Sequence, residues 1–132
     1  MTAKIRGYNK EDLLEREPIT LDSDAYVEYL KSVAETYPFL AIMGLRVLTE
    51  TTLKRVCEER KIRFVDTSSL SELINGLAQS RVYEMEPTWV ALQDFRQFLN
   101  IASHGYKISP DIAQWALEAI PAILNEIKAK TL

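Results

Sequence analysis

The side chains of this sequence that could do acid–base or phosphate chemistry fall into two short sets. In DFRQFLNIASHGY, Arg96, Asn100 and His104 stand four apart. On a helix they form one polar line beside the apolar Leu92, Phe95, Phe98, Leu99 and Ala102. His104 is the one histidine of the chain. In GLRVLTE, Arg46 and Glu50 lie one helical turn apart, flanked by Ile42, Met43, Val47 and Leu53. Two helices that brought the sets together would form a cleft. It would offer an imidazole as general acid or base, a guanidinium for an anion and a carboxylate to orient the imidazole. The same residues also fit a structural role. Glu50 would pair with an arginine, Asn100 would bond to backbone, and His104 would sit beside a helix C-terminus that favours its charged form. Spacing by itself favours the structural role.

The elements that must carry these residues are helical. DSDAYVEYLKSVAETY repeats apolar residues at Tyr26, Leu30, Val33, Ala34 and Tyr37, with Asp22 or Ser23 as N-cap. Pro38 opens a second, long helix, whose Ile42, Leu45, Leu48, Leu53 and Val56 share a face and form the spine of the core. EERKIR reads as a solvated charged helix end, and IRFV, which overlaps it, has the composition of a strand but no obvious partner. Ser69 and Glu72 have capping-box spacing and start a short third helix. Pro87 opens a fourth, which ends at Gly105. Ser109, Pro110 and Asp111 start a fifth, apolar at Ile112, Trp115, Ala116, Ala119, Ile120, Ile123 and Ile127 and kinked at Pro121. The expected fold is all-α, a bundle of four to five helices over residues 21–132, preceded by a loosely docked arm over 1–20 that Pro18 ends.

Composition fits that reading. The chain has 132 residues, enough for one domain with one core, with 47% hydrophobic and 27% charged residues. Its net charge is −3, so no overall positive field attracts nucleic acid. A single cysteine, Cys57, excludes an intrachain disulfide, and one cysteine with one histidine cannot build a zinc site. Cys57 reads as a small buried hydrophobe and Trp115 as core, whereas Trp89 points toward Arg96 and Asn100 and would cover a cleft or a dimer interface. The first twenty residues lack a signal peptide's apolar run, and no segment is apolar enough to span a membrane. A cytoplasmic location is expected, without cofactor or metal.

The stretches NIASHGYKISPDIAQWALEAIPAIL and YPFLAIMGLRVLTETTLKRVCEERKI together resemble the HEPN superfamily, small all-α domains found as RNase toxins and as defence or RNA-processing modules. They are most similar to an uncharacterised HEPN-like branch in which an Asn and a His four apart end a core helix. There a proline also opens a long helix bearing an Arg and a Glu one turn apart. The resemblance covers most of residues 22–130. It implies a homodimer in which two polar motifs face one shared cleft, and places Asn100 and His104 on the family's polar pair and Arg46 and Glu50 on its paired charges. In active members His and Arg assist attack of the ribose 2′-OH on the adjacent phosphate, without metal. Here Leu99 stands where the family's catalytic Arg directly precedes the Asn. Arg96 is the nearest substitute, about 12 Å along the axis from His104. His104-Gly105-Tyr106 resembles the His-x-Tyr at which a partner nucleotidyltransferase modifies such toxins; a surface tyrosine packing on the last helix is the simpler account of Tyr106. The expected function is therefore a dimeric HEPN-like module of a defence or toxin–antitoxin type system with degenerate or weak catalysis, partnered by an antitoxin or nucleotidyltransferase. The alternative is a metal-independent endoribonuclease acting on RNA through His104, Asn100 and Arg96 of a composite dimer-interface site.

Overall fold

The computed structural model describes residues 4–5, 8–9, 21–65, 68–79 and 86–129, apart from the side chains of Lys4, Ile5, Tyr8, Asn9, Glu86, Pro87, Trp89, Ala102 and Ser103. Five helices follow one another: α1 (Ser23–Ala34), α2 (Pro38–Glu59), α3 (Leu70–Gln79), α4 (Glu86–Ser103) and α5 (Pro110–Ala129). The only other regular structure among the described residues is an antiparallel pairing of β1 (Lys4–Ile5) with β2 (Tyr8–Asn9). The fold is an all-α bundle. The expectation of an arm over residues 1–20 otherwise falls outside the described residues.

The helix starts follow from local chemistry. The Asp22 carboxylate accepts from the Ala25 N–H at 3.2 Å and caps α1. The Ser69 hydroxyl accepts from the Glu72 N–H at 3.2 Å, the serine half of the expected capping box at α3, and it donates to the Glu72 carboxylate at 3.3 Å. Ser109 accepts from the Ile112 N–H at 3.2 Å, and Pro110 takes the first turn of α5, where a missing N–H costs nothing. Gly105 closes the end of α4 at φ +81°, a left-handed conformation that a side chain would strain. IRFV forms no strand. Ile62 and Phe64 instead lie half-buried against the core while Val65 is exposed.

α2 is the central element and touches each of the other four helices. Its Ile42, Leu45, Leu48, Leu53 and Val56 are all buried, as their spacing requires, and Cys57 is buried with them. α1 crosses α2 closely at Gly44, where a Cβ would stand 2.5 Å from Leu30 Cδ2. The Tyr26 hydroxyl donates to the Gly44 carbonyl at 2.7 Å across the same crossing. α5 holds the end of α1, because Gln114 donates to the Lys31 carbonyl at 3.0 Å and Lys31 pairs with Glu118 at 2.6 Å. α5 runs across Pro121 to Ala129, and the proline leaves the Leu117 carbonyl without its helical donor.

Two apolar positions of α5 depart from the expected core. Ala113, Ala116, Leu117, Ile120, Leu124 and Ile127 are buried, but Ile112 is about half exposed and Trp115 is 56% exposed. At 100° per residue both lie on the arc opposite Leu117 and Leu124. Trp115 is not a core residue. Its ring rests on α4, with centroids 5.6 Å from Phe95 and 6.3 Å from Phe98, and its outer face meets solvent.

Candidate functional site

The Arg46–Glu50 pair forms on α2, with Nε 3.1 Å from Oε1 and both side chains half-buried. It sits at the end of an apolar strip. Phe39, Leu40, Met43 and Val47 fall within one arc of α2, and each is between 39% and 45% exposed. Eighteen residues after Phe39 the same angle is buried at Cys57, whereas Glu58, at the angle of Leu40, is exposed and charged. Sequence spacing identified Met43 and Val47 only as flanks of the charged pair. The signal for the strip lay in PFLAIMGLRVL, which is apolar on nearly every side. Such a helix needs cover all round, and one bundle supplies only part of it.

The α4 residues diverge. Leu99 is 1% exposed and belongs to the core with Leu92 and Phe95. Arg96 turns to the side of α4 that meets α3, where Nη1 donates to the Ser71 hydroxyl at 3.0 Å. Its Nε is buried without a hydrogen-bond partner. Asn100 lies half-buried one turn further on the same side. α4 ends at Ser103, and His104 is an exposed residue of the turn, its N–H donating to the Ile101 carbonyl at 3.1 Å. Arg96 is thus engaged at the α3 boundary, whereas the only imidazole stands in solvent beyond the helix end.

Tyr106 is 66% exposed. Together with Pro38, Phe39, Gly105, Lys107 and Ile108 it lines an open hollow of about 360 Å³. This hollow joins the turn that carries His104 to the start of the α2 strip. A second groove, of about 320 Å³, runs between α1, α2 and α5; Lys31 bridges Glu28 and Glu118 along it. The hydrogen bond from Lys31 to Glu118 is the main cause that raises the lysine above its usual 10.5. Burial pushes the Cys57 thiol up, with Glu58 adding to the effect, so it stays protonated and unreactive at neutral pH. A pairing of Cys57 with His104 does not fit a buried thiol and an exposed imidazole. The side chain of Trp89, expected near Arg96, lies outside the described residues.

Among the described residues no group of His, Cys, Asp and Glu could hold a metal ion, and no helix is long and apolar enough to cross a membrane. Comparison with family models, with curated proteins and with solved structures gave no match.

Proposed function

We propose that this chain is a HEPN-like helical interaction module that acts as a homodimer, with degenerate catalysis, in a defence or toxin–antitoxin type system. The observation that carries the reading is the strip Phe39–Leu40–Met43–Val47 left uncovered on the central helix, next to a charge pair that is already neutral. The strip is centred on Met43. A two-fold axis through that residue lays Phe39 against Val47 of the partner subunit and repeats the contact on the other side, as an isologous interface requires. Arg46 and Glu50 cancel within each copy, so the two faces do not repel. The hollow at Tyr106 and the exposed His104 border this interface, which is where the family resemblance sets its polar residues.

The degenerate part of the reading rests on Leu99 and Arg96. The position that would carry the family's arginine points into the core, and the substitute arginine is bonded to Ser71. A phosphate beside His104 then lacks a positioned guanidinium, a loss that typically costs several kcal/mol of transition-state stabilisation. Sedimentation of the wild type and Met43→Glu, with RNA cleavage measured in EDTA, tests both parts. A wild-type dimer that the substitution dissociates, without specific cleavage, is the expected result. A monomeric wild type at micromolar concentration overturns the dimer. Specific cleavage that His104→Ala abolishes in a folded protein replaces this reading with the metal-independent endoribonuclease.

A further inference from the structure

A second uncovered apolar surface lies on the outer side of α4 and α5. Val90 and Ile101 on α4, with Ile112 and Trp115 on α5, are each about half exposed. Phe98 forms the floor between the two helices and meets the Trp115 ring nearly edge-on, at 80°. Ala119 follows Trp115 one turn on along the same side of α5, so little side-chain bulk stands beyond the indole. The ring is braced from one side by Phe95 and Phe98 and open on the other, as in an anchor that loses little conformational freedom on binding.

Among the described residues of α4 and α5, the charges beside this surface are acidic. Asp94 is on the exposed flank of α4, Asp111 is one turn before Trp115, and Glu126 stands further along α5, where the Thr88 hydroxyl donates to it at 3.4 Å. The described lysines and arginines of α4, α5 and the turn between them are directed elsewhere. Arg96 bonds to Ser71 on α3, Lys107 lines the hollow with Phe39, and Lys128 lines the grooves beside Thr52. An acidic rim opposes a second copy of the chain, since a two-fold contact would set Asp94, Asp111 and Glu126 against their own equivalents. It opposes nucleic acid for the same reason.

We infer that the α4–α5 face is a docking site for a basic amphipathic helix of another protein. That helix would set apolar residues spaced three and four apart over Trp115, Ile112 and Ile101, and lysines or arginines against Asp94, Asp111 and Glu126. The inference does not depend on the dimer, because the two surfaces lie on different helices and have different charge.

The test uses the full chain and two fluorescein-labelled peptides patterned as amphipathic helices, one of leucine and lysine, the other of leucine and glutamate, followed by fluorescence anisotropy. The lysine peptide is expected to bind and the glutamate peptide to remain free. Trp115→Ala should weaken binding by roughly tenfold or more, as loss of a central aromatic anchor does. The double variant Asp94→Lys/Asp111→Lys should weaken it further and reduce its salt dependence. Met43→Glu should leave it unchanged, which separates this site from the α2 strip. Circular dichroism confirms that each variant is folded; Trp115, Asp94 and Asp111 are exposed, so folding should persist. No binding, equal binding of both peptides, or binding indifferent to Trp115→Ala and to the charge reversals overturns the inference. So does a Trp115→Ala protein whose self-association has changed, which would give the face to a second copy.

Discussion

Among the described residues, the apolar strip on α2 and the apolar face of α4 and α5 differ in their rims. On α2, Phe39, Leu40, Met43 and Val47 end at a charge pair that is neutral within the chain. On α4 and α5, Val90, Ile101, Ile112 and Trp115 are bordered by Asp94, Asp111 and Glu126. The apolar content is alike and supplies driving force in both places. The charges select what it is used on: a balanced rim tolerates a copy of itself, and a rim of one sign calls for its opposite. A net charge of −3 for the whole chain hides this division.

The contrast can be broken by five measurements. The largest effect is expected for Leu99→Arg, which puts the arginine of the HEPN pattern that the sequence resembles at a buried position. Placing a charge in the core should cost on the order of 3–5 kcal/mol in chemical denaturation and yield no RNase. A stable, active Leu99→Arg protein would show that α4 can turn this position outward. Next comes Gly44→Ala on the covered side of α2. Its methyl would meet Leu30 and Tyr26, and overpacking should outweigh the gain in helix propensity by about 1 kcal/mol. Met43→Glu, one residue earlier and on the open side, should instead leave monomer stability within about 0.5 kcal/mol while dissociating the proposed dimer. If both substitutions cost the same stability, the strip is not an open surface. Arg46→Ala removes a half-buried ion pair one turn apart on a helix and should cost about 0.3–0.5 kcal/mol, with a small loss of association.

The smallest effect concerns Lys31, which touches neither surface. Its folded value is raised chiefly by the hydrogen bond to Glu118. A lysine raised on folding contributes its full stability below the unfolded value near 10.5 and loses it as pH climbs through the higher folded value. Denaturation midpoints should therefore fall in that alkaline window for the wild type, and fall less for Lys31→Met. A Lys31→Met protein with an unchanged alkaline slope would remove Glu118 as the cause.

Much of the fold was legible because it depends on near neighbours in the chain. The caps at Asp22, Ser69 and Ser109 each need only three residues to recognise, and the buried line of α2 follows from its repeat. What escaped was the question of which neighbour covers which face. Periodicity placed Ile112 and Trp115 among the apolar positions of α5, but only the packing of α4 against that helix shows them to be outside the core. The candidate site was legible to the same extent. Arg46 and Glu50 pair within one helix, as their spacing says. Arg96 finds Ser71 on α3, twenty-five residues away, and no local pattern encodes that contact. Leu99 was visible as a departure from the family pattern; that its side chain is sealed in the interior was not.

Cys57 gives the molecule a clock. Its thiol is buried, held protonated and is the only one in the chain. A thiol reagent can react with it only during the moments when α2 parts from its neighbours. The labelling rate in excess reagent thus reports how often the interior opens, one event at a time and without a probe attached to either surface. Occupation of the α2 strip or of the Trp115 face would slow that rate by as much as it stabilises the closed bundle, so one sulfur atom can register both partners.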